Sequence, residues 1–186
     1  MKIAAVNSCD IGNSIEGVAV SIWVQGCPHH CNGCHNPETW DFNKEDCYFE
    51  INNLMNETEF WFEIKDKLSA NGVKRHLSIL GGEPFAPENE IFTFNMIFRM
   101  SNEFPDRNIY IWTGYSLEEL KKKYIKIPNF KLLKNVSLLI TDRFDIKKRD
   151  ITLPLRGSSN QHIWKPFVKR FLNKEKIYFK DVTKKK

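Results

Sequence analysis

The sequence predicts an α/β fold with a mostly parallel sheet, arranged either as a compact partial (β/α) barrel or as an open sheet. Short apolar runs alternate with helical patterns along the chain, as in strand–helix–strand units built on a parallel sheet. Two chemistry-bearing stretches, Cys27-Pro28-His29-His30-Cys31-Asn32-Gly33-Cys34-His35 and Gly81-Gly82-Glu83-Pro84, each follow an apolar run directly. Ligands of such folds sit at those strand ends. A chain of 186 residues holds too few units to close an eight-stranded barrel.

The elements follow in order. Residues 3–6 form a short apolar strand, and residues 10–17 are turn-rich. Cys9 reads as a small buried hydrophobe. The unbroken apolar run 18–24 is a buried strand, and Gln25-Gly26 lead from it into the three-cysteine loop. Residues 36–42 are irregular, with Trp40 and Phe42 placed to screen that loop from water. Residues 44–70 have helical spacing in two segments. Phe49, Leu54 and Met55 belong to the first; Phe60, Ile64 and Leu68 form a stripe on the second. Asn71-Gly72 is a helix-stop signal. A strand at 75–80 runs into Gly81-Gly82. Residues 88–104 read as a helix with Ile91, Phe94, Ile97 and Phe98 inward. A strand at 108–112 ends in Thr113-Gly114-Tyr115, and Ser116 with Glu119 forms a capping box that opens a helix to about Tyr124. A further strand at 136–140 ends at Thr141-Asp142-Arg143-Phe144. Residues 156–161 make a polar loop, 176–179 a terminal strand, and 183–186 a frayed end.

Composition narrows the function classes. Fourteen Phe, five Trp and five Tyr supply a core for one domain. The division expected is a domain over 1–163 with a basic C-terminal extension over 164–186, packed on it. No basic-then-apolar leader opens the chain, and no uncharged stretch approaches a bilayer span. Five cysteines, three of them in one motif, argue against a disulfide scaffold, so a cytoplasmic protein is expected. Charge is split: residues 1–117 carry 8 Lys/Arg and 16 Asp/Glu, and residues 118–186 carry 20 and 7. The lysines of the basic part are scattered without arginine–aromatic interleaving, so a solvated surface is favoured over nucleic-acid binding.

The three cysteines stand at i, i+4 and i+7 in a loop short enough to turn their thiolates toward one point. Thiolates select soft metals and hold iron–sulfur cubanes. A [4Fe-4S] cluster on Cys27, Cys31 and Cys34 leaves one iron open. Zinc competes, because His29, His30 or His35 could complete a tetrahedron, although structural zinc sites prefer paired short spacings. Gly81 and Gly82 permit close approach of a ligand to the backbone, and Glu83 offers a carboxylate for an ammonium group.

The Cys27–Cys31–Cys34 spacing resembles the CxxxCxxC signature of radical S-adenosylmethionine enzymes, and Gly81-Gly82-Glu83-Pro84 resembles their GGE motif. More closely, the chain resembles the family of activating enzymes of anaerobic ribonucleoside-triphosphate reductases. That likeness rests on Val24 to Cys34-His35-Asn36, the Trp40 segment, Trp112-Thr113-Gly114-Tyr115, Asp142-Arg143-Phe144 and Arg156 to Gln161, over about residues 4–163. Departures are Glu83, where these activators often have aspartate, and Thr141-Asp142 before Arg143 in place of Asp-Gly. The resemblance implies a [4Fe-4S] cluster whose open iron chelates S-adenosylmethionine. It implies Cys27, Cys31 and Cys34 as metal ligands, and Gly33, Cys34, His35, Gly81, Gly82 and Glu83 around S-adenosylmethionine. Reductive cleavage would yield a 5′-deoxyadenosyl radical that abstracts hydrogen from a glycine of the reductase's large subunit. The implied partners are that subunit and a cytosolic one-electron donor such as flavodoxin. Tyr115 and residues 157–161 read at least as readily as structure as they do as groups facing the partner or the cofactor.

Overall fold

The computed structural model describes residues 1–171 and 174–183. Its centre is a parallel ladder. β2 (Val18–Val24) pairs with β4 (Arg75–Gly81), β4 with β5 (Ile109–Trp112), and β5 with β6 (Leu138–Thr141), all parallel. Antiparallel strands extend both sides: β1 (Lys2–Asp10) and β3 (Phe49–Glu50) beyond β2, and β7 (His162–Phe171) and β8 (Lys174–Asp181) beyond β6. Among the described residues, the order β3-β1-β2-β4-β5-β6-β7-β8 is an open sheet of eight strands, the partial barrel expected, with antiparallel flanks on its parallel centre.

Strand alternation assigns the two faces. Ile22, Ile79, Ile111 and Leu139 stand opposite one another across successive ladders and face the main core. That core is completed by α1 (Leu54–Ser69), α2 (Glu90–Glu103) and α3 (Leu117–Tyr124), through Phe60, Trp61, Ile64, Leu68, Ile97 and Leu120. Each such side chain, fully buried, contributes about 1.5–3 kcal/mol. On the other face Tyr110, Leu138, Ile140 and Ile163 form a smaller apolar floor. The register puts the C-terminal ends of β2, β4, β5 and β6 on one rim, because Val24 pairs with Gly81 and Trp112 with Ile140.

Several expectations need correction. Residues 44–53 are not a helical segment. Tyr48 and Ile51 donate backbone N–H groups to Ile3 and Met1 O at 2.8 and 2.9 Å, and β3 covers the edge of β1. An exposed strand edge outweighs weak helical spacing here. The helix begins only at Leu54, where Asn53 accepts from Asn56 N, so Leu54 and Met55 are exposed. In α2, Phe94 and Ile97 are buried, but Ile91 and Phe98 are exposed. Positions 91, 94 and 98 and positions 93, 96, 97 and 100 both have helical spacing. The second set is buried, anchored by Thr93 Oγ1 donating to Pro84 O at 2.8 Å. Cys9 is exposed on β1 rather than buried. The turn at 71–72 is confirmed by left-handed Asn71 (φ 57°) and Gly72 (φ 68°), and the Ser116–Glu119 capping box is complete. Strand structure after residue 161 extends well beyond 176–179, as the β7–β8 hairpin. Of the expected frayed end, residues 184–186 lie outside the described residues.

Candidate functional site

A cavity of about 470 Å³ opens at the rim where the parallel strands end. Its wall includes Cys27, Cys31, Cys34 and His35 from the loop after β2, then Gly81, Gly82 and Glu83 after β4. Trp112, Thr113 and Gly114 after β5 and Asp142 and Phe144 after β6 close the far side. All the site residues expected from sequence lie on this wall except Gly33, which is exposed and left-handed (φ 73°). Gly33 makes the turn in which Cys34 N donates to Cys31 O at 3.0 Å, so its freedom brings the third thiol back toward the second.

Backbone hydrogen bonds hold the two loops together. Gly82 N donates to Val24 O and Glu83 N to Gly26 O, both at 2.8 Å. A Cβ on Gly82 would collide with Gly26 O, so the approach of the loops requires glycine there. The buried Asn89 amide spans both, donating to Gln25 O and Glu83 O at 3.0 Å. Cys27 N donates to Trp40 O at 3.0 Å, fastening the 36–42 segment beneath the cysteine loop. Trp40 stacks on His30 at 5.0 Å between ring centroids.

Burial pushes the Cys27 thiol up to about 11; the nearby Glu83 charge adds to the rise, and backbone N–H groups of His29 and His30 oppose it. The Cys31 thiol is also raised by burial, against a backbone hydrogen bond at Phe144. Such thiols need a metal's positive charge to ionise near neutrality. Three thiols on one wall are a soft donor set that fits iron–sulfur ligation. Among the described residues, no three His, Cys, Asp or Glu side chains are grouped as a single ion requires. Of the loop histidines, His29 is engaged with Glu83 and Arg143 and His30 with Trp40, while His35 is exposed on the cavity wall.

Glu83 is fully buried and meets four donors. Thr113 Oγ1 and Phe85 N donate to Oε1 at 2.7 and 2.9 Å; Gly114 N and His29 Nε2 contact Oε2 at 2.7 and 2.9 Å. His29 Nδ1 receives Arg143 Nε at 3.2 Å, and Arg143 is bidentate to Glu119 at 3.1 and 3.2 Å. The 156–161 loop closes on itself: Gln161 Oε1 accepts from Gly157 N and Ser158 N at 2.9 and 3.1 Å. Its outward donors, Gln161 Nε2 and Asn160 Nδ2, hold Asp142 O and Arg143 O at 3.1 and 2.9 Å.

A family model described as a 4Fe-4S single cluster domain matches residues 15–164. The chain is also similar to three proteins named anaerobic ribonucleoside-triphosphate reductase-activating protein. The one from Pasteurella multocida is 32% identical over 157 residues, covering 84% of this chain and 92% of the relative. Those from Vibrio cholerae and Escherichia coli are 32% and 31% identical, covering 79% and 82% of this chain and 87% and 90% of theirs. The chain belongs to the anaerobic ribonucleoside-triphosphate reductase-activating protein family. As a member of that family it is a radical S-adenosylmethionine protein with a 4Fe-4S cluster-binding domain. The activating-protein fold brings to the cavity residues whose place the single sequence gave no means to see. His29 was visible only as a possible zinc ligand, and Asn13 only as part of a turn-rich loop. Asn13 reaches the cavity because Asp10 accepts from Gly12 N and Asn13 N at 2.8 and 3.0 Å, folding the loop under β4. Ser78 Oγ then donates to Asn13 O at 2.5 Å.

Proposed function

We propose that this protein generates the glycyl radical of an anaerobic ribonucleoside-triphosphate reductase, using a [4Fe-4S] cluster and S-adenosylmethionine. The observation that carries the reading is the meeting, in one cavity, of three thiols with the Gly81-Gly82-Glu83 strand end. Cys27, Cys31 and Cys34 would hold the cluster, and an iron without a cysteine would be free to take the amino and carboxylate groups of S-adenosylmethionine. When bound and reduced, the cluster supplies the electron that cleaves the C–S bond to methionine and a 5′-deoxyadenosyl radical, which takes hydrogen from a glycine Cα.

The chain's own residues bind, orient and exclude water. Glu83 receives the methionine ammonium, and Gly81 and Gly82 let the methionine lie against the backbone. His35 borders the adenosine, and Gly33 shapes the loop that presents Cys34. Trp112 and Phe144 keep the far side apolar, so a radical formed there meets little solvent. No acid–base pair is required of the protein. The partner is the large subunit of the reductase, whose glycine segment enters at the open rim. A cytosolic one-electron donor of the flavodoxin type reduces the cluster, which places the protein in the cytoplasm. Among the described residues no helix is long and apolar enough to cross a membrane. Residues 1–163 form the radical domain in this reading. The basic residues of 164–186, which begin inside β7, have no direct nucleic-acid role in this reading.

The test is anaerobic reconstitution with iron and sulfide, chemical reduction, addition of S-adenosylmethionine, and assay of 5′-deoxyadenosine and methionine. The expected result is stoichiometric formation of both, lost in Cys31→Ala. Failure of a verified, reduced cluster to cleave S-adenosylmethionine would overturn the reading.

A further inference from the structure

An ionised carboxylate has about four lone-pair positions. At Glu83 all four are taken, and its side chain has no exposure to solvent. An arriving ammonium must therefore displace a donor. Two of the donors, Phe85 N and Gly114 N, are backbone, and Thr113 Oγ1 is buried and also receives Tyr115 N at 3.1 Å. The fourth, His29, is a side chain on the cysteine loop itself, midway between Cys27 and Cys31.

The surroundings are built for that ring. Gly114 carries no Cβ, and one placed there would collide with His29 Cδ2. Tyr115 meets the imidazole edge-on at 4.6 Å. Arg143 can only donate, so His29 Nδ1 is an acceptor and the ring's N–H is at Nε2, aimed at Glu83. The contact is then a neutral N–H on a carboxylate. An ammonium brings full charge to the same oxygen and makes the stronger bond.

Resting on the reading that Glu83 receives the methionine ammonium, we propose that His29 is a displaceable stand-in for that ammonium. It occupies Glu83 Oε2 before S-adenosylmethionine binds and yields when it does. Two consequences follow from its position. Glu83 Oε2 keeps a second donor beside Gly114 N whether or not the ligand is bound, and arrival of S-adenosylmethionine is registered in the loop that carries the cysteines. Displacing the ring reduces the apparent affinity, as any competing internal state does.

Equilibrium dialysis of the reconstituted, unreduced protein tests this with two ligands: S-adenosylmethionine, and its deamino analogue with hydrogen in place of the ammonium. His29→Phe removes the donor and keeps a ring. His29→Asn keeps an acceptor for Arg143 but is too short to reach Glu83. Both variants are expected to bind S-adenosylmethionine about 10-fold more tightly, the scale of one lost competing hydrogen bond to a charged group. Affinity for the deamino analogue is expected to stay within about 2-fold, and His29→Gln, which can still donate to Glu83, to resemble the unaltered protein. Equal weakening of both ligands, or no change for S-adenosylmethionine, at full iron content in both variants would overturn the stand-in role. Glu83→Gln separates the two claims. If it leaves S-adenosylmethionine affinity unchanged, the ammonium does not bind Glu83 and the underlying reading fails. If it weakens binding while the His29 variants do not tighten it, only the stand-in role fails.

Discussion

At Gly82 a methyl group would strike Gly26 O and lie 2.9 Å from Val24 O, both backbone atoms of the neighbouring loop. Neither can swing aside as a flexible side chain would. Gly82→Ala is therefore expected to part the two strand ends, costing about 1–3 kcal/mol as an overpacked contact does. The check is a urea unfolding midpoint measured with iron per chain; an unchanged midpoint and full iron would contradict it. Cys31→Ala and Cys34→Ala are each expected to retain much less than the full cluster after reconstitution, read as lost charge-transfer absorption and lost acid-labile sulfide. At this scale the sequence was informative where chemistry depends on residue type. Three thiols at short spacing, and glycines at a strand end, announce themselves. His29 and Thr113 did not, because their part comes from facing Glu83 across 54 and 30 residues of chain.

Helix α3 shows how local signals survive folding. Ser116 and Glu119 satisfy each other's backbone N–H groups, and Glu119 also grips Arg143. Ser116→Ala should cost about 1 kcal/mol, measurable by urea unfolding. Between α1 and α2, Glu57 is buried against Asn95, whose amide donates to both its oxygens at 2.9 and 3.2 Å. Burial raises its carboxyl above the usual range, although Asn95 and Arg99 pull the other way. A carboxyl raised by folding holds its proton more tightly in the folded state. Stability is then greatest below the ordinary carboxylate range and declines as pH rises through the raised value. Glu57→Gln cannot titrate, so its stability relative to the unaltered protein should increase over that rise and then level off. Unfolding midpoints compared at mildly acidic and neutral pH would reveal it, and a constant difference would contradict it. The helical reading of 44–53 failed for a reason no local pattern contains: the edge of β1 needed a partner, and residues 48–51 supply it.

Across the whole molecule, parallel register turns scattered motifs into one site. β2, β4, β5 and β6 end on the same rim, so the residues just after Val24, Gly81, Trp112 and Thr141 meet although they lie far apart in sequence. Alternating strands and helices made that rim legible beforehand. The antiparallel flanks were less so, because β7 and β8 carry lysines at so many positions that no apolar alternation stands out. The same arrangement leaves the cavity open at the rim, as a protein substrate requires. The most direct test of the account is electron paramagnetic resonance of the cognate reductase large subunit after anaerobic incubation with this protein, reductant and S-adenosylmethionine. A glycyl-radical doublet is expected to appear with 5′-deoxyadenosine and to be absent with Cys31→Ala. Cleavage of S-adenosylmethionine with no radical on the reductase would contradict it, leaving a radical enzyme with another substrate.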